Sequence, residues 1–348
     1  MGENLDGGLS VSLSYLISSM LLSFLVTYIL TPRLIDFLEA ARIVGVDVMK
    51  ADRRRVAEMG GPAVIAGLLG GVFLYIGLRI FLSGGFPGLI YILAALSTTL
   101  IITLIGIFDV LTSLTGRREG VRGFEGLKRR GLPAWLYFLI PLPAAIPLVA
   151  VNAGVSHMTL PLIGRVELGL LYPLLLIPLG VLCCSNATNF LAGFNGLEAG
   201  MGAILHISLG LYALIHHREA AALLSLTFAS ALLAFLRYNW YPARIFPGDL
   251  NYTIGAVCAA STIIGNIERF SILCFTPWII EAFLKAASAF KAECYGSLQP
   301  DGTLKHEGKI RSLTHIIMRL GNFREWEVSL ILIALEAVIC IASFLSVL

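Results

Sequence analysis

Residues 87–108 read PGLIYILAALSTTLIITLIGIF, a run of 22 residues without a charged side chain, and Asp109 follows it directly. A helix needs about 20 apolar residues to cross the hydrocarbon core of a bilayer. Similar runs recur along the whole chain, in which 57% of the residues are hydrophobic and only 14% are charged. The mean hydropathy is +0.85, whereas soluble domains carry roughly a quarter charged residues. The pattern predicts an all-α, polytopic integral membrane protein.

The apolar runs predict ten transmembrane helices in a single domain, residues 1–348. The first run is too long for a signal peptide and lacks a basic leader and a cleavage site, so we interpret it as a span. The predicted spans lie near residues 9–31, 63–83, 87–108, 132–151, 168–184, 199–216, 220–236, 250–267, 270–290 and 328–347.

The distribution of basic residues predicts the orientation of these spans. Of the 25 Lys and Arg residues, 20 fall in one set of alternate loops and four in the other, while Lys285 lies within a span. Because Lys and Arg concentrate in cytoplasmic loops, the first set is predicted to be cytoplasmic and both termini to face the opposite side. The six cysteines lack metal-ligand spacing, and no segment resembles a nucleic-acid-binding module.

The third cytoplasmic loop, residues 186–200, reads NATNFLAGFNGLEAG and contains three Asn and three Gly. An ordinary turn would account for such residues, since both types tolerate positive φ angles. Asn carbonyl oxygens also suit Mg²⁺, and Gly lets the backbone approach a nucleotide closely. Composition alone leaves both interpretations open.

Three residues at the cytoplasmic ends of spans are further candidates. Asp249 precedes an apolar run, where a helix N-cap is the simpler interpretation and a metal ligand the alternative. Asp109 lies at membrane depth, where ionisable groups are costly and usually functional. Phe246 is either an interface residue or a ring that stacks on a base. Scattered carboxylates, amides, Gly and basic residues are the parts that phosphoryl transfer requires.

Residues 186–200 closely resemble the signature loop of the polyprenyl-phosphate N-acetylhexosamine-1-phosphate transferases. FPGD at residues 246–249 resembles the second signature of that family, and residues 45–61 resemble its nucleotide-site segment. The resemblance covers essentially the whole chain. It implies a cytoplasmic active-site cleft between the spans.

The resemblance also implies roles for individual residues. Asn189 and Asp249 would bind Mg²⁺, with Mn²⁺ as the alternative metal. The nucleotide would be contacted by Gly193, Asn195 and Phe246, with Phe246 stacked on the uracil. The same cleft would be lined by Lys50, Glu58 and Asn186.

Asp109 would match the first residue of the family's paired aspartates and orient the lipid phosphate. The second aspartate is replaced by Val110, and Arg130 is the best substitute for the basic residue that follows the pair. The basic motif of the last cytoplasmic loop is not recognisable. Candidates near it are Lys291, Lys305, His306, Lys309, Arg311 and His315.

Ala192 and Asn195 stand where bacterial members typically carry Asp, which favours the dolichol-using branch that takes UDP-GlcNAc. The implied reaction transfers GlcNAc-1-phosphate to a polyprenyl (dolichyl-type) phosphate and releases UMP, the first step of lipid-linked glycan assembly. Another UDP-N-acetylhexosamine is the alternative donor. A transporter is the alternative from a different class, based on the intramembrane residues Glu281, Lys285 and Glu336. Isoprenoid length and a homodimer are left open.

Overall fold

The computed structural model describes residues 3–118, 138–155, 157–160 and 164–347, and helices dominate it. The helices are α1 Glu3–Ala40, α2 Gly61–Ser83, α3 Leu89–Arg118, α4 Ile146–Ala150, α5 Ile177–Phe190, α6 Leu197–Ile215, α7 Glu219–Asn239, α8 Leu250–Gly265, α9 Glu268–Cys274, α10 Thr276–Ala286, α11 Leu313–Leu320 and α12 Glu325–Val347. A 3-10 turn, Leu142–Ala145, precedes α4, and a π-helical turn, Tyr172–Leu176, leads into α5.

Within these described ranges, seven helical segments are long and apolar enough to cross a bilayer. They are Ser12–Ala40, Gly61–Ser83, Leu89–Thr112, Tyr172–Phe190, Leu197–Ile215, Glu219–Asn239 and Glu325–Val347. The prediction of a polytopic, mainly helical membrane protein is confirmed.

Three predicted spans have a different form. The predicted span 250–267 corresponds to the shorter helix α8, which has 16 residues. The predicted span 270–290 is divided into α9 and α10, because Pro277 at the start of α10 cannot donate the backbone hydrogen bond that a continuous helix requires. The predicted span 132–151 lies partly outside the described residues.

The helices α5 and α8 run antiparallel in close contact at the end of the molecule that carries the candidate site. A Cβ atom on Gly255 of α8 would overlap the backbone of Cys184 in α5, so only glycine permits this approach. The hydroxyl of Thr188 donates to the backbone carbonyl of Asn251 over 2.7 Å. Small residues and hydrogen-bonding hydroxyls are the usual means by which membrane helices pack closely.

The all-α prediction missed three small sheets. The strands are β1 Val44–Val46, β2 Arg55–Glu58, β3 His157–Leu160, β4 Gly164–Glu167, β5 Ile245–Phe246, β6 Ser297–Leu298 and β7 Leu304–Lys305. The first sheet has the order β1-β2-β5, with β1 antiparallel and β5 parallel to β2. These connecting segments pair because their backbone groups need hydrogen-bond partners where they pack on the helices.

Two apolar clusters form the core. The first lies among α2, α3, α7 and α8 and includes the fully buried Phe228 and Phe235. The second lies among α6, α9, α11 and α12 and includes Phe194 and Phe270. The candidate site lies where the loops between these two clusters meet.

Candidate functional site

Asp249 occupies the N-cap position of α8, but its side chain makes no capping hydrogen bond. Its Oδ1 accepts a hydrogen bond from the backbone nitrogen of Gly61 over 3.3 Å. Its Oδ2 is buried and has no hydrogen-bond partner among the described residues. The side chain is 0% exposed, and burial raises its pKa from 3.8 to about 7. The cap interpretation is therefore wrong, and a buried carboxylate oxygen of this kind suits a cation.

Gly61, the first residue of α2, is required for this arrangement. A Cβ atom at Gly61 would collide with the carboxylate of Asp249. The segment that was predicted to form the first cytoplasmic loop therefore lies directly on the carboxylate.

Asn189 lies in the last turn of α5 and is half-buried. The contact between Thr188 and Asn251 places the end of α5 level with the start of α8, so Asn189 and Asp249 belong to the same layer of the molecule. Asn251, which sequence reasoning missed, adds a buried side-chain oxygen with no partner in the described part of the chain. Its only signal in the sequence is an amide at the start of an apolar helix.

These donors fit a hard cation. In the part of the chain that the structure describes, no three His, Cys, Asp or Glu side chains form a cluster that would hold a metal. A metal here would instead be held by the Asp249 carboxylate and amide oxygens such as that of Asn189. Oxygen donors of this kind suit Mg²⁺ rather than zinc.

Asp109 lies on the helix that packs against the start of α8. A Cβ atom on Gly106, one turn earlier in α3, would lie 2.8 Å from the backbone oxygen of Asp249. Val110 lies one turn after Gly106 on the same face of α3 and packs against the residue before Asp249, since a Cβ on Gly248 would lie 3.3 Å from Val110 Cγ2. Asp109 itself is half-buried. The structure therefore brings Asp109 to the layer of Asp249, and Val110 fills space beside it.

Phe246 and Glu58 are direct neighbours in the β2–β5 pairing. The backbone nitrogen of Gly60 donates to the carbonyl of Phe246 over 3.0 Å. A Cβ on Gly45 would lie 3.1 Å from the Phe246 ring and would also overlap the Glu58 carboxylate. Both side chains are half-buried. Two sequence segments predicted to contact the nucleotide thus form one wall.

Most of the segment 186–200, which was predicted to be a loop, is helical. Helix α5 continues to Phe190 and α6 begins at Leu197, so Asn186 and Asn189 are helical. The amide of Asn186 donates to the carbonyl of Leu182 over 2.8 Å, one helical turn earlier. The irregular part is therefore short, and Gly193 lies within it with φ +129°. The Gly193 nitrogen donates to Glu198 Oε1 over 2.6 Å, which closes the turn.

Lys50 and Asn195 belong to a buried polar cluster. The ammonium of Lys50 pairs with Asp47 at 3.2 Å and with Glu325, and it lies 4.2 Å from the centre of the Tyr241 ring. The carboxylate of Glu325 also accepts from the Asn195 backbone nitrogen over 2.8 Å.

The side chain of Asn195 completes this cluster. Its oxygen accepts from the backbone nitrogen of Ala243 over 2.8 Å, and its nitrogen lies 3.4 Å from Asp47 Oδ2. These contacts give Lys50 and Asn195 a role in shaping the segment beside Gly193. Sequence reasoning missed Glu325 because nothing local distinguishes it from an ordinary acidic residue at a helix start.

Asn186 borders an apolar cavity of about 480 Å³. Its amide donates to the carbonyl of Phe138 over 2.9 Å. The rest of the lining is almost entirely apolar and comes mainly from α5, α8, α9 and α10. Arg130, the predicted basic partner of Asp109, lies outside the described residues.

Glu281 and Lys285 form the ion pair expected from their spacing, at 3.5 Å. Glu281 Oε2 also accepts from the backbone nitrogen of Leu313 over 2.7 Å. Lys285 donates to the carbonyl of Ala292 over 2.8 Å and contacts Cys294 Sγ at 3.1 Å. We call these contacts the α10 clamp. They join the segment that was predicted to form the last cytoplasmic loop to α10, so both charged side chains hold these two parts of the structure together.

Three of the basic candidates of the last segment make contacts within that segment. His306 and His315 stack on each other with ring centres 3.5 Å apart. Lys305 pairs with Glu307 at 2.8 Å on the surface. Burial, followed by the nearby His306 and Lys285, lowers the pKa of His315 to about 4.

Comparison with known proteins identifies the family. A protein of Saccharolobus solfataricus is 32% identical over 304 residues, covering 86% of this chain and 87% of that protein. One of Sulfolobus acidocaldarius is 31% identical over 334 residues, covering 95% and 96%. Both carry the provisional name UDP-N-acetylglucosamine–dolichyl-phosphate N-acetylglucosaminephosphotransferase. The Schizosaccharomyces pombe protein of that name is 30% identical over 220 residues, covering 57% of this chain and 45% of that protein. The family model described as glycosyl transferase family 4 matches residues 92–266. Since the match extends over half of the chain and the archaeal relatives align with most of it, the chain belongs to glycosyl transferase family 4.

Proposed function

We propose that the chain transfers GlcNAc-1-phosphate from UDP-GlcNAc to a dolichyl-type polyprenyl phosphate and releases UMP. The names of its relatives support this donor and this acceptor. The proposal includes ten membrane spans, a cytoplasmic active-site cleft, and both termini on the opposite side.

One observation carries the proposal. The apolar cavity reaches Asn186, and Asn189 lies three residues later in the same helix, on the same face and one turn closer to the level of Asp249. An isoprenoid tail needs an apolar cavity, while its phosphate needs the polar layer beside it. The α5 helix joins the two, and the wall of Phe246 and Glu58 supports the nucleotide nearby.

The chemistry is a single displacement at phosphorus. An oxygen of the lipid phosphate forms a bond to the sugar-bearing phosphorus, the bond from that phosphorus to the bridging oxygen breaks, and UMP leaves with the electron pair. The second pKa of a phosphate monoester is about 6, so the attacking group is largely dianionic at pH 7 and needs no general base. Asp109 therefore orients the lipid phosphate and its basic partner rather than removing a proton.

Asp249 and Asn189 would hold Mg²⁺, which when bound offsets negative charge on the phosphates of the nucleotide sugar. The buried Oδ2 of Asp249 supports this assignment.

The test uses purified protein with Mg²⁺, polyprenyl phosphate and, in separate reactions, UDP-GlcNAc, UDP-GalNAc or UDP-MurNAc-pentapeptide. UMP and lipid-linked sugar phosphate are measured in each. We expect both products in equal amounts and the highest kcat/KM with UDP-GlcNAc. Equal or better turnover of UDP-MurNAc-pentapeptide would overturn the donor assignment, and lipid movement without UMP release would indicate a transporter.

A further inference from the structure

Tyr295, in the last cytoplasmic segment, lies against the turn that contains Gly193. A Cβ atom on Gly193 would lie 2.7 Å from Cε1 and 3.0 Å from the hydroxyl oxygen of Tyr295. The edge of the ring that carries the hydroxyl therefore rests on the Gly193 backbone. Tyr295 belongs to none of the motifs described above.

The carboxylates near Tyr295 belong to the nucleotide-site segments. Burial, then Cys294, then Glu198 and other carboxylates including Glu58, raise the pKa of the Tyr295 phenol. Glu58 is the strand neighbour of Phe246, and Glu198 holds the Gly193 nitrogen. Tyr295 therefore lies among the residues expected to contact the nucleotide, with a hydroxyl that stays protonated and can donate a hydrogen bond.

The residues on either side of Tyr295 hold it firmly. The carbonyl of Cys294 accepts from the Thr314 hydroxyl over 2.7 Å, and its thiol donates to the carbonyl of Phe190 over 3.1 Å. On the other side, a Cβ atom on Gly296 would overlap the Met318 sulfur. A side chain whose neighbours are packed in this way is pre-organised for binding.

We propose that Tyr295 contacts the UDP moiety of the donor, its ring forming the wall of the nucleotide site on the side of the last cytoplasmic segment and its hydroxyl donating a hydrogen bond to the nucleotide. This inference rests on the proposed function. The competing explanation is that the ring only fills the space that Gly193 leaves open.

Three variants separate these explanations. Tyr295→Phe keeps the ring on Gly193 and removes only the hydroxyl, whereas Tyr295→Ala removes the ring as well. Tyr91→Phe is the matched control, since Tyr91 is 38% exposed on α3 and belongs to none of the site segments. The measurements are UMP affinity by isothermal titration calorimetry with Mg²⁺, KM for UDP-GlcNAc, KM for polyprenyl phosphate, kcat and melting temperature.

We expect Tyr295→Phe to weaken UMP binding and to raise KM for UDP-GlcNAc, each by about tenfold, the usual effect of losing a hydrogen bond to a charged group. Tyr295→Ala should weaken both by up to about a hundredfold, in line with the loss of base–aromatic stacking. The KM for polyprenyl phosphate and the melting temperature of Tyr295→Phe should match the wild type, as should every property of Tyr91→Phe.

Unchanged UMP affinity in Tyr295→Phe and Tyr295→Ala would overturn the inference, as would a fall in kcat without a change in UMP affinity. The proposed function is tested separately, by measuring UMP binding and product formation with the wild-type protein. If the wild type binds UMP but forms no lipid-linked product, the proposed function fails and Tyr295 is still judged by UMP affinity. If the wild type binds no UMP, both fail.

Discussion

Asp249→Asn changes the charge at the centre of the candidate metal site while keeping its shape. The Asn oxygen can still accept the hydrogen bond that Asp249 Oδ1 receives from the Gly61 nitrogen. The side chain makes no capping bond that the change could remove. The variant therefore tests the charge of the carboxylate and not its packing.

The first quantity to estimate is the effect of Asp249 on the stability of the metal-free protein. Burial raises the Asp249 pKa from 3.8 to about 7, so between these values the folded state binds more protons than the unfolded state. Stability then falls as the pH rises through this window, and the loss reaches about 4 kcal/mol above pH 7. Asn has no such dependence. We expect metal-free Asp249→Asn to equal the wild type at pH 4 and to be more stable at pH 8.

Catalysis should change in the opposite direction. A metal ion that neutralises phosphate oxygens supplies several kcal/mol to the transition state. Losing about 3–5 kcal/mol would lower kcat by roughly a hundredfold to several thousandfold. Added Mg²⁺ should raise the melting temperature of the wild type by ligand linkage, with a much smaller effect on the variant.

The assay combines melting curves at pH 4 and pH 8, with and without Mg²⁺, and UMP release as a function of Mg²⁺ concentration. Asp36→Asn is the control, because Asp36 is exposed on α1 and the change should leave every measurement unchanged. Near-normal rate and Mg²⁺ dependence in Asp249→Asn would refute the metal site. Equal stability of variant and wild type at pH 8 would refute the desolvation argument.

Four further changes have distinct expected signatures. Asn189→Ala should raise the Mg²⁺ concentration that the reaction requires, whereas Asp109→Asn should lower kcat without changing that concentration. Titrations of UMP release with Mg²⁺ would distinguish the two variants. The reverse pattern would exchange the roles of Asn189 and Asp109. Phe246→Ala should raise KM for UDP-GlcNAc by up to about a hundredfold with unchanged melting temperature, by analogy with base stacking, and unchanged kinetics would reduce Phe246 to a packing residue. His315→Phe should remove a pH dependence of stability. The pKa of His315 is lowered to about 4 in the folded protein. The wild type is therefore fully stable above about pH 6.5 and loses stability as the pH falls toward 4. Identical pH–stability curves for variant and wild type would contradict this.

The membrane architecture was predictable because apolar length is a local property. All but the first two residues of the apolar run 87–108 lie in α3. Glu281 and Lys285 form the ion pair that their spacing suggests. The sheet that holds Phe246 was not predictable in the same way. Its strands β2 and β5 are two to four residues long and far apart in sequence, so no local pattern marks their pairing.

The environment of Asp249 shows the same limit within the site. Gly-Asp before an apolar run is explained more simply by a helix cap than by a metal ligand. Gly61, which is distant in sequence, donates to Oδ1, while Oδ2 is buried without a hydrogen-bond partner among the described residues, and this environment argues against the cap. Lys50 is a parallel case, since its partner Glu325 begins the last helix of the chain. Contacts between distant segments settle what such residues do.

Under the proposed function, the α10 clamp links the two substrate sites through one helix. Ala282 and Phe283 of α10 border the apolar cavity, while Glu281 and Lys285 of the same helix hold the segment that carries Tyr295. A lipid tail that repositions α10 would therefore also move the wall of the nucleotide site. Such coupling is reciprocal: the factor by which polyprenyl phosphate changes UMP affinity is the factor by which UMP changes lipid affinity. Under the proposed function, α10 would thus transmit the binding of either substrate to the site of the other.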